Sequence, residues 1–209
     1  MSCYRKLFIN KTGKAENRLR VGRETKYMAI LTKQRLSTLT EGVLGRIMFS
    51  QVLNESKLES RTTSEVTVFL SHSHDDLING DVDKIFVLLR RVGVRVYIDS
   101  LDMSLPPFTS AETARKIKEK IKQNKKFILV ATNRAINSKW CNWELGFGDA
   151  QKYIDNIALI PLAENSGNWD GAEYLRIYPR IEESNLYPPN INVYFPDGTL
   201  KSLAEWLKS

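Results

Sequence analysis

Short apolar runs rich in β-branched residues recur from residue 66 onward at nearly constant intervals. Four of these runs begin 28, 33 and 30 residues apart, and apolar residues at helical spacing occupy the segments between them. Strands that alternate with helices at this spacing predict βαβ units, which build a parallel sheet with helices on both faces. The predicted strands are 66–70, 94–98, 127–130 and 157–160, and the predicted helices between them are 81–92, 110–124 and 138–152.

Residues with strong preferences for helix ends set the limits of these helices. Gly93 closes the first helix, because glycine is favoured just after a helix C-terminus. Thr109 and Glu112 form a capping box that is expected to open the second helix. Ser138 is suited to cap the third helix through its hydroxyl group.

The C-terminal segment adds one strand and one helix to this pattern. Residues 191–195 predict the fifth strand of the sheet. Asp197 and Gly198 are a turn signal, and they are expected to lead the chain into a closing helix. The apolar residues of that closing helix are Leu200, Leu203, Trp206 and Leu207.

The first 60 residues follow a different pattern. A basic stretch around 24–36 has helical character, and Thr38 with Glu41 forms a capping box before a second helix with an apolar stripe. We interpret the region as a helical appendage packed on the main domain, with self-association or partner docking, or a membrane-surface or nucleic-acid role, as alternatives. The predicted division is therefore a basic N-terminal extension, residues 1–60, a short polar linker, and an α/β domain, residues 65–209. The stripe consists of Leu39, Val43, Leu44, Ile47, Met48, Val52 and Leu53.

Composition supports a folded chain, and the charge is unevenly placed. The 209 residues are 42% hydrophobic and include four tryptophans, which is enough for a sizeable core. The net charge is +7, and residues 1–60 hold 12 basic and 5 acidic side chains, which leaves the remainder neutral. The basic balance of the whole chain therefore gives no support for nucleic-acid binding by the main domain.

Targeting signals and disulfides are not indicated. The chain contains no run of about 18 apolar residues, and its N-terminus lacks the apolar segment of a signal peptide. Its two cysteines, Cys3 and Cys141, make no disulfide framework and suit a reducing compartment. These features predict a cytoplasmic protein without a membrane span.

Polar side chains follow each predicted strand. In open parallel sheets, ligands bind beyond the carboxyl ends of the strands. The first strand leads into Ser71–Asp76, the second into Asp99–Asp102, and the third into Thr132–Arg134. Hydroxyl, imidazole and carboxylate groups along one rim suit a ligand with many hydroxyls, such as a ribose.

A carboxylate occurs in the third helix where a core residue is expected. Burying an ionised carboxylate without a partner costs several kcal/mol. We therefore expect Glu144 either to border a cleft or to pair with a lysine or arginine, and the pattern alone leaves both open. With Ser138 as the cap, one helical face carries Trp140, Trp143, Glu144, Phe147 and Gln151.

Three other kinds of site are weakly indicated. His72 and His74 lie at a spacing seen in metal-dependent hydrolases, but the chain has no further histidine to complete such a site. Cys141 can in principle pair with His72 as a thiol nucleophile, although a cysteine between two tryptophans is more often a buried apolar residue. Gly146-Phe147-Gly148 is an isolated glycine pair with no strand before it, which does not support a nucleotide-binding loop.

Four segments together resemble one known family. They are residues 68–75 (VFLSHSHD), 93–99 (GVRVYID), 127–132 (FILVAT) and 138–145 (SKWCNWEL), of which the last is the most specific. Their order and spacing resemble those of Toll/interleukin-1 receptor (TIR) domains. The match covers about residues 65–165, and residues 174–181 resemble the tail of bacterial members.

The resemblance implies a flavodoxin-like fold with a five-stranded parallel sheet. For many bacterial, plant and axonal members it also implies cleavage of NAD+ at the nicotinamide–ribose bond by a helix glutamate four residues after a tryptophan, as Glu144 follows Trp140. Animal receptors and adaptors use the same fold without this catalysis, so a non-catalytic scaffold that self-assembles and binds partners is the alternative. Some family enzymes have an aromatic and a basic residue where this chain has His72 and Ser73.

The chemistry of that reaction is consistent with the residues on the rim. Nicotinamide leaves NAD+ as a neutral molecule, so no general acid is required, and positive charge develops on the ribose. One carboxylate beside the ring can stabilise that charge without acting as a nucleophile. Glu144 is thus the catalytic candidate. The candidate substrate contacts are Ser71, His72, Ser73, Asp99, Phe108 and Trp140.

The partners expected from the resemblance are NAD+, further copies of the chain and an effector. NAD+ is a substrate here, and no cofactor or metal is expected. TIR–TIR contacts are expected to form a homo-oligomer, and a separate effector protein is expected to respond to the product in bacterial antiphage signalling. Whether the product is ADP-ribose or a cyclic isomer stays open, because water and a hydroxyl of the same molecule can both attack the ribose.

Overall fold

The computed structural model describes residues 28–41, 66–103, 105, 110–164, 169, 171, 173–184 and 190–209. Phe108 and the apolar stripe beyond Glu41 lie outside these residues. The strands are β1 (Met28–Ala29), β2 (Leu31–Thr32), β3 (Thr67–Ser71), β4 (Arg95–Tyr97), β5 (Lys126–Ala131), β6 (Ile157–Ala163), β7 (Arg180–Ser184), β8 (Ile191–Tyr194) and β9 (Leu200–Ser202). The α-helices are α1 (Lys33–Thr40), α2 (His74–Ile78), α3 (Asp81–Arg90), α4 (Ala111–Gln123), α5 (Asn133–Asn137), α6 (Lys139–Gln151) and α7 (Leu203–Lys208).

Five parallel strands form the centre of the sheet, in the order β4-β3-β5-β6-β7. Of these five strands the chain forms β3 first, moves outward to β4, and then crosses to β5, β6 and β7 on the other side, which is the flavodoxin-like order. Helices cover both faces and enclose two separate apolar cores. The predicted fold class is confirmed.

The fifth parallel strand is not where the sequence predicted it. Residues 191–194 do form a strand, but β8 runs antiparallel to β7, and β9 runs antiparallel to β8. The fifth parallel strand is Arg180–Ser184, whose sequence Arg-Ile-Glu-Glu-Ser lacks an apolar run. Its glutamates are buried because they pair with arginines: Glu183 with Arg35, and Glu182 with Arg180.

Two predicted helix starts shift along the chain. Ser110 caps α4, and its hydroxyl accepts a hydrogen bond from the backbone N–H of Thr113 at 3.1 Å, so the box predicted at Thr109 is wrong by one residue. Leu200 lies in β9, and the closing helix begins at Leu203 behind a capping box.

The segment before α1 is part of the sheet. β2 runs parallel to β6, with Leu31 opposite Leu162, and β1 runs antiparallel to β7, with Met28 opposite Ser184. Strands β6 and β7 pair directly at Leu159 and Arg180. Strand β8 pairs with the edge of β7 that faces away from β6, so β1 must pair with the edge that faces β6. The N-terminal segment therefore lies between β6 and β7, where these two strands separate.

Helix α1 anchors this segment to the domain. Arg35 donates from Nε and Nη2 to the carboxylate of Glu183 at 2.6–3.0 Å, and Lys33 pairs with Asp81 at 3.0 Å. Leu36 is fully buried in the core that also contains β3, β5 and α3. Residues 28–40 are therefore built into the α/β domain, whereas the boundary between residues 60 and 65 stays a prediction.

The predicted helix around 24–36 is wrong for residues 28–32, because Met28–Ala29 and Leu31–Thr32 are strands. Thr38 does not open a second helix: it lies inside α1, and its hydroxyl donates to the carbonyl of Gln34 at 3.2 Å. Pairing of β1 with β7 and of β2 with β6 provides backbone partners that local sequence preference cannot anticipate.

We expect Leu36→Ala to lower the free energy of unfolding by about 2–5 kcal/mol, because it opens a cavity under the sheet. The matched control is Ile78→Ala, since Ile78 is 69% exposed and its truncation should change stability by no more than about 0.5 kcal/mol. Urea unfolding of both variants measures the difference. Equal small effects would show that α1 does not stabilise the domain.

Candidate active site

Helix α6 carries the carboxylate that the sequence analysis singled out. Ser138 caps the helix, and its hydroxyl accepts from the backbone N–H of Cys141 at 3.3 Å. Glu144 is 1% exposed and lies on the face that packs against the sheet. The buried face of α6 differs from the predicted face by about one residue along the helix, because Trp143 and Phe147 are only partly buried. The buried residues of α6 are Cys141, Glu144, Leu145 and Gly148.

Close packing explains one of the two glycines in this helix. A Cβ atom added at Gly148 would lie 3.2 Å from the ring of Phe127 in β5. This glycine lets α6 approach the sheet closely, and thereby sets the depth at which Glu144 is held. The glycine pair thus has a packing role at Gly148.

Ser71 holds one oxygen of the Glu144 carboxyl group. Its hydroxyl, at the carboxyl end of β3, donates to Oε2 of Glu144 at 2.6 Å. Oε1 has no hydrogen-bond partner among the described residues. None of the ion pairs between described residues includes Glu144. The predicted alternative, an ion pair between Glu144 and a lysine or arginine, is therefore absent from the described residues.

Burial raises the pKa of Glu144 to about 8, and the negative charge of Asp99 adds to the increase. The hydroxyl of Ser71 acts in the opposite direction, because its hydrogen bond favours the charged form, and the nearby indole of Trp140 has the same effect on the pKa. A carboxyl group with such a pKa is largely protonated at neutral pH. A positively charged ligand beside it would favour the carboxylate.

The ends of β3 and β4 bring His72 and Asp99 together. Nδ1 of His72 lies 3.2 Å from the carbonyl oxygen of Leu70 and 3.8 Å from Oδ1 of Asp99. Nε2 of His72 lies 2.8 Å from the hydroxyl of Ser100. Burial raises the pKa of Asp99, while the nearby His72 lowers it. The two predicted contacts therefore lie on the same rim as Glu144.

Ser73 is engaged in a separate network. Its hydroxyl caps α2 and donates to Oδ2 of Asp76 at 2.6 Å, and the hydroxyl of Thr132 donates to the same oxygen at 2.8 Å. Asp76 is fully buried. This network ties the end of β3 to the end of β5 and stabilises the rim. A contact between Ser73 and a substrate stays a prediction.

Partly exposed aromatic rings continue from the site along α6. The ring of Trp140 stacks on that of Trp143 with centroids 4.8 Å apart, and Trp143 stacks on Phe147 at 6.3 Å. The ammonium group of Lys118 lies over both of the latter rings, at 5.6 and 5.3 Å. Trp140 thus forms an apolar wall beside Glu144.

Two neighbours of the site were not singled out from the sequence. Tyr97 belongs to β4 and donates to Asp102 at 2.8 Å; burial and this hydrogen bond raise the pKa of Tyr97, and the charge of Glu144 adds to the increase. Ser100 comes one residue after the predicted contact Asp99. The sequence signal for both was their position at the end of a strand, but that position does not distinguish them from their neighbours.

The thiol of Cys141 does not pair with an imidazole. Sγ donates to the backbone carbonyl of His72 at 3.3 Å, and burial raises the pKa of the thiol to about 11. A protonated, buried thiol is a poor nucleophile. The interpretation of Cys141 as a small buried apolar residue is confirmed.

Metal ligands are not clustered in the described residues. His72 faces Ser100, whereas His74 begins α2, and no group of three or more potential ligands occurs in this part of the structure. None of the described helices is both long and apolar enough to cross a bilayer. A cleft of about 380 Å³ between β4 and α4 is lined by Tyr97 and Lys120, among others, but not by Glu144.

Comparison with known proteins identifies the family to which the chain belongs. A sequence model described as TIR domain matches residues 68–182, which is more than half of the chain. The protein belongs to the TIR domain family, as the resemblance predicted. The matched segment includes Ser71, Asp99 and Glu144.

A similar protein is the probable 3′ cyclic ADP-D-ribose synthase ThsB′ of Bacillus cereus (strain MSX-D12). It is 30% identical over 129 residues, which cover 57% of this chain and 62% of the relative. The chain therefore spans less than two thirds of that relative.

The raised pKa of Glu144 predicts how stability depends on pH. Between the usual pKa near 4.5 and the value of about 8 in the folded protein, the folded state holds a proton that the unfolded state releases. This group therefore stabilises the fold less as pH rises through that window. Glutamine lacks the proton equilibrium, so Glu144→Gln should gain stability relative to wild type at pH 8 compared with pH 5. Denaturant unfolding at both values tests this, and a constant difference would contradict it.

Proposed function

We propose that this TIR domain protein cleaves NAD+ at the nicotinamide–ribose bond and that Glu144 is its catalytic carboxylate. The observation that carries the proposal is the state of this side chain. It is almost fully buried, one oxygen is fixed by Ser71, and the other has no hydrogen-bond partner among the described residues. Such a group is suited to a cationic ligand.

The substrate supplies the cation. NAD+ carries a positive charge on its pyridinium ring, and this charge moves onto the ribose as nicotinamide departs. A carboxylate in a site with few water molecules interacts with that charge more strongly than one in bulk solvent. Because nicotinamide leaves as a neutral molecule, the second carboxylic acid of ordinary glycosidases is not needed.

The electrostatics favour selective stabilisation of this charge. Burial and Asp99 both disfavour the carboxylate form of Glu144 in the absence of substrate. A cation that approaches Glu144 offsets the cost of its negative charge. The stabilisation is largest when the positive charge is on the ribose. Asp99 adds negative potential at the same rim.

Other rim residues have proposed binding roles. Trp140 provides an apolar wall, and Ser71 orients Glu144. His72, Ser73 and Asp99 are proposed contacts for hydroxyl or phosphate groups by their position on the rim, and Phe108 by its position in the sequence.

The name of the Bacillus cereus relative supports a finer proposal about the product. After nicotinamide departs, a hydroxyl group of the same molecule attacks the ribose and gives a cyclic ADP-ribose isomer, whereas attack by water gives ADP-ribose. We further propose that the chain forms homo-oligomers and that a separate effector responds to the product in antiphage signalling.

We expect Glu144→Gln to lower the rate of nicotinamide release by about 10²-fold or more, because it removes the charge that stabilises the transition state. Glu119→Gln is the matched control, since Glu119 lies on the exposed side of α4 and pairs with Arg115. Chromatography of the products at several protein concentrations measures both rates. Equal rates in the two variants would remove Glu144 from the mechanism.

The pH profile of kcat/KM reports the pKa of the free enzyme. We expect the rate of nicotinamide release to rise with pH through about 8, because the carboxylate is the active form. Ser71→Ala should move the profile to higher pH, since it removes a donor that favours the charge. Asp99→Asn should move it to lower pH, since it removes a nearby negative charge. Shifts in the same direction would contradict this account.

A non-catalytic scaffold is the second candidate. Met103 is 91% exposed in the segment that follows β4, and burying this apolar side chain against a second copy would favour self-association. A scaffold would leave NAD+ intact at high protein concentration, and Met103→Ser would weaken self-association while Glu144→Gln would not.

A further inference from the structure

The geometry points to Ser100 as a second reactive group, whose hydroxyl accepts an ADP-ribosyl group from NAD+. This inference rests on the proposed function, because it requires that nicotinamide leave the ribose at this rim. Ser100 is then a modification site of the chain, and His72 is the base that accepts the proton of its hydroxyl group.

The hydrogen bonds of His72 fix which nitrogen is the acceptor. The carbonyl oxygen of Leu70 can only accept, and it lies 3.2 Å from Nδ1. Nδ1 of the neutral ring therefore carries the hydrogen, and Nε2 has a free lone pair. Ser100 lies 2.8 Å from Nε2, so its hydroxyl donates to the imidazole. Oδ1 of Asp99 lies 3.8 Å from the same nitrogen, on the side of the ring away from Ser100.

A serine bonded to a base that a third group orients is the arrangement of an activated hydroxyl. The burial of the two residues agrees with this role. His72 is 8% exposed, whereas Ser100 is exposed. A structural role for the hydroxyl is not evident: Ser100 lies within the short 3-10 helix Asp99–Leu101, and the cap position of that helix is Ile98.

Ser100 also lies near the carboxylate that would stabilise the ribose. His72 directly follows Ser71, which holds Glu144 at 2.6 Å. Asp99 directly precedes Ser100, and its charge acts on Glu144. The ends of two adjacent parallel strands, β3 and β4, thus bring the base, the hydroxyl and the carboxylate to one rim.

The transfer step balances without a further reactant. The bond between the ribose C1′ and the nicotinamide nitrogen breaks, and its electron pair leaves with nicotinamide. Oγ of Ser100 forms a bond to C1′, and its proton passes to Nε2 of His72 and then to solvent. The products are O-linked ADP-ribosyl-Ser100, nicotinamide and one proton, and no atom is oxidised or reduced.

The test measures bound ADP-ribosyl groups and released nicotinamide in the same samples. The full chain is incubated with NAD+ at several high protein concentrations, and the protein is analysed by intact mass and peptide mapping. We expect one ADP-ribosyl group on the peptide that contains Ser100. This bond should survive neutral hydroxylamine, because a serine glycoside resists it and a carboxylate ester does not. ADP-ribose in place of NAD+ should give no such product.

Variants separate this inference from a structural role of Ser100. Ser100→Ala should abolish modification of that peptide, and Ser100→Thr, which keeps a hydroxyl, should restore part of it. His72→Gln should lower the ratio of bound ADP-ribosyl to nicotinamide by about 10²-fold, because a general base contributes on that scale. Normalising to nicotinamide removes any change in the first step.

The outcomes distinguish the two proposals. Nicotinamide release without modification of Ser100, or modification that persists in Ser100→Ala, would overturn the inference about Ser100 and leave NAD+ cleavage standing. No release of nicotinamide at any protein concentration would overturn both.

Discussion

The hydrogen bond between Ser71 and Glu144 is the constraint on which the site depends. It joins the end of the first parallel strand to a helix that packs against the sheet, and it fixes one carboxylate oxygen in a place with almost no solvent. A charge there is unfavourable until a cation arrives. The fold therefore maintains a group whose charged form is stabilised by the cation that the proposed reaction produces.

Several features that look independent support this one contact. Gly148 lets α6 approach Phe127, the Ser73–Asp76–Thr132 network joins β3 to β5, and the segment containing β1 and β2 lies where β6 and β7 separate. Each holds the carboxyl edge of the sheet in place. Catalytic groups at strand ends need such support, because an error of about 1 Å in position costs much of the rate.

In the proposed reaction, more than one nucleophile can reach the ribose that loses nicotinamide. Water, a hydroxyl group of the same molecule and the side chain of Ser100 would compete for the same carbon atom. Under this proposal Glu144 stabilises the positive charge equally for all three, so the fate of the ribose would depend on which oxygen has a base beside it. His72 is such a base on this rim, and its bond to Ser100 favours the protein itself as one acceptor.

The sequence alone determined the alternation of strands and helices, the fold class and the helix that bears Glu144, because these follow from apolar periodicity, helix caps and a specific motif. It did not place β7, whose glutamates are buried only because Arg35 and Arg180 pair with them. It did not predict β1 and β2, which exist through pairing with strands about 130 to 155 residues away, and it did not distinguish Ser100 from Asp99. Tertiary structure decided these points, since buried charges, strand partners and a base beside a hydroxyl are all contacts between segments that are distant in the chain.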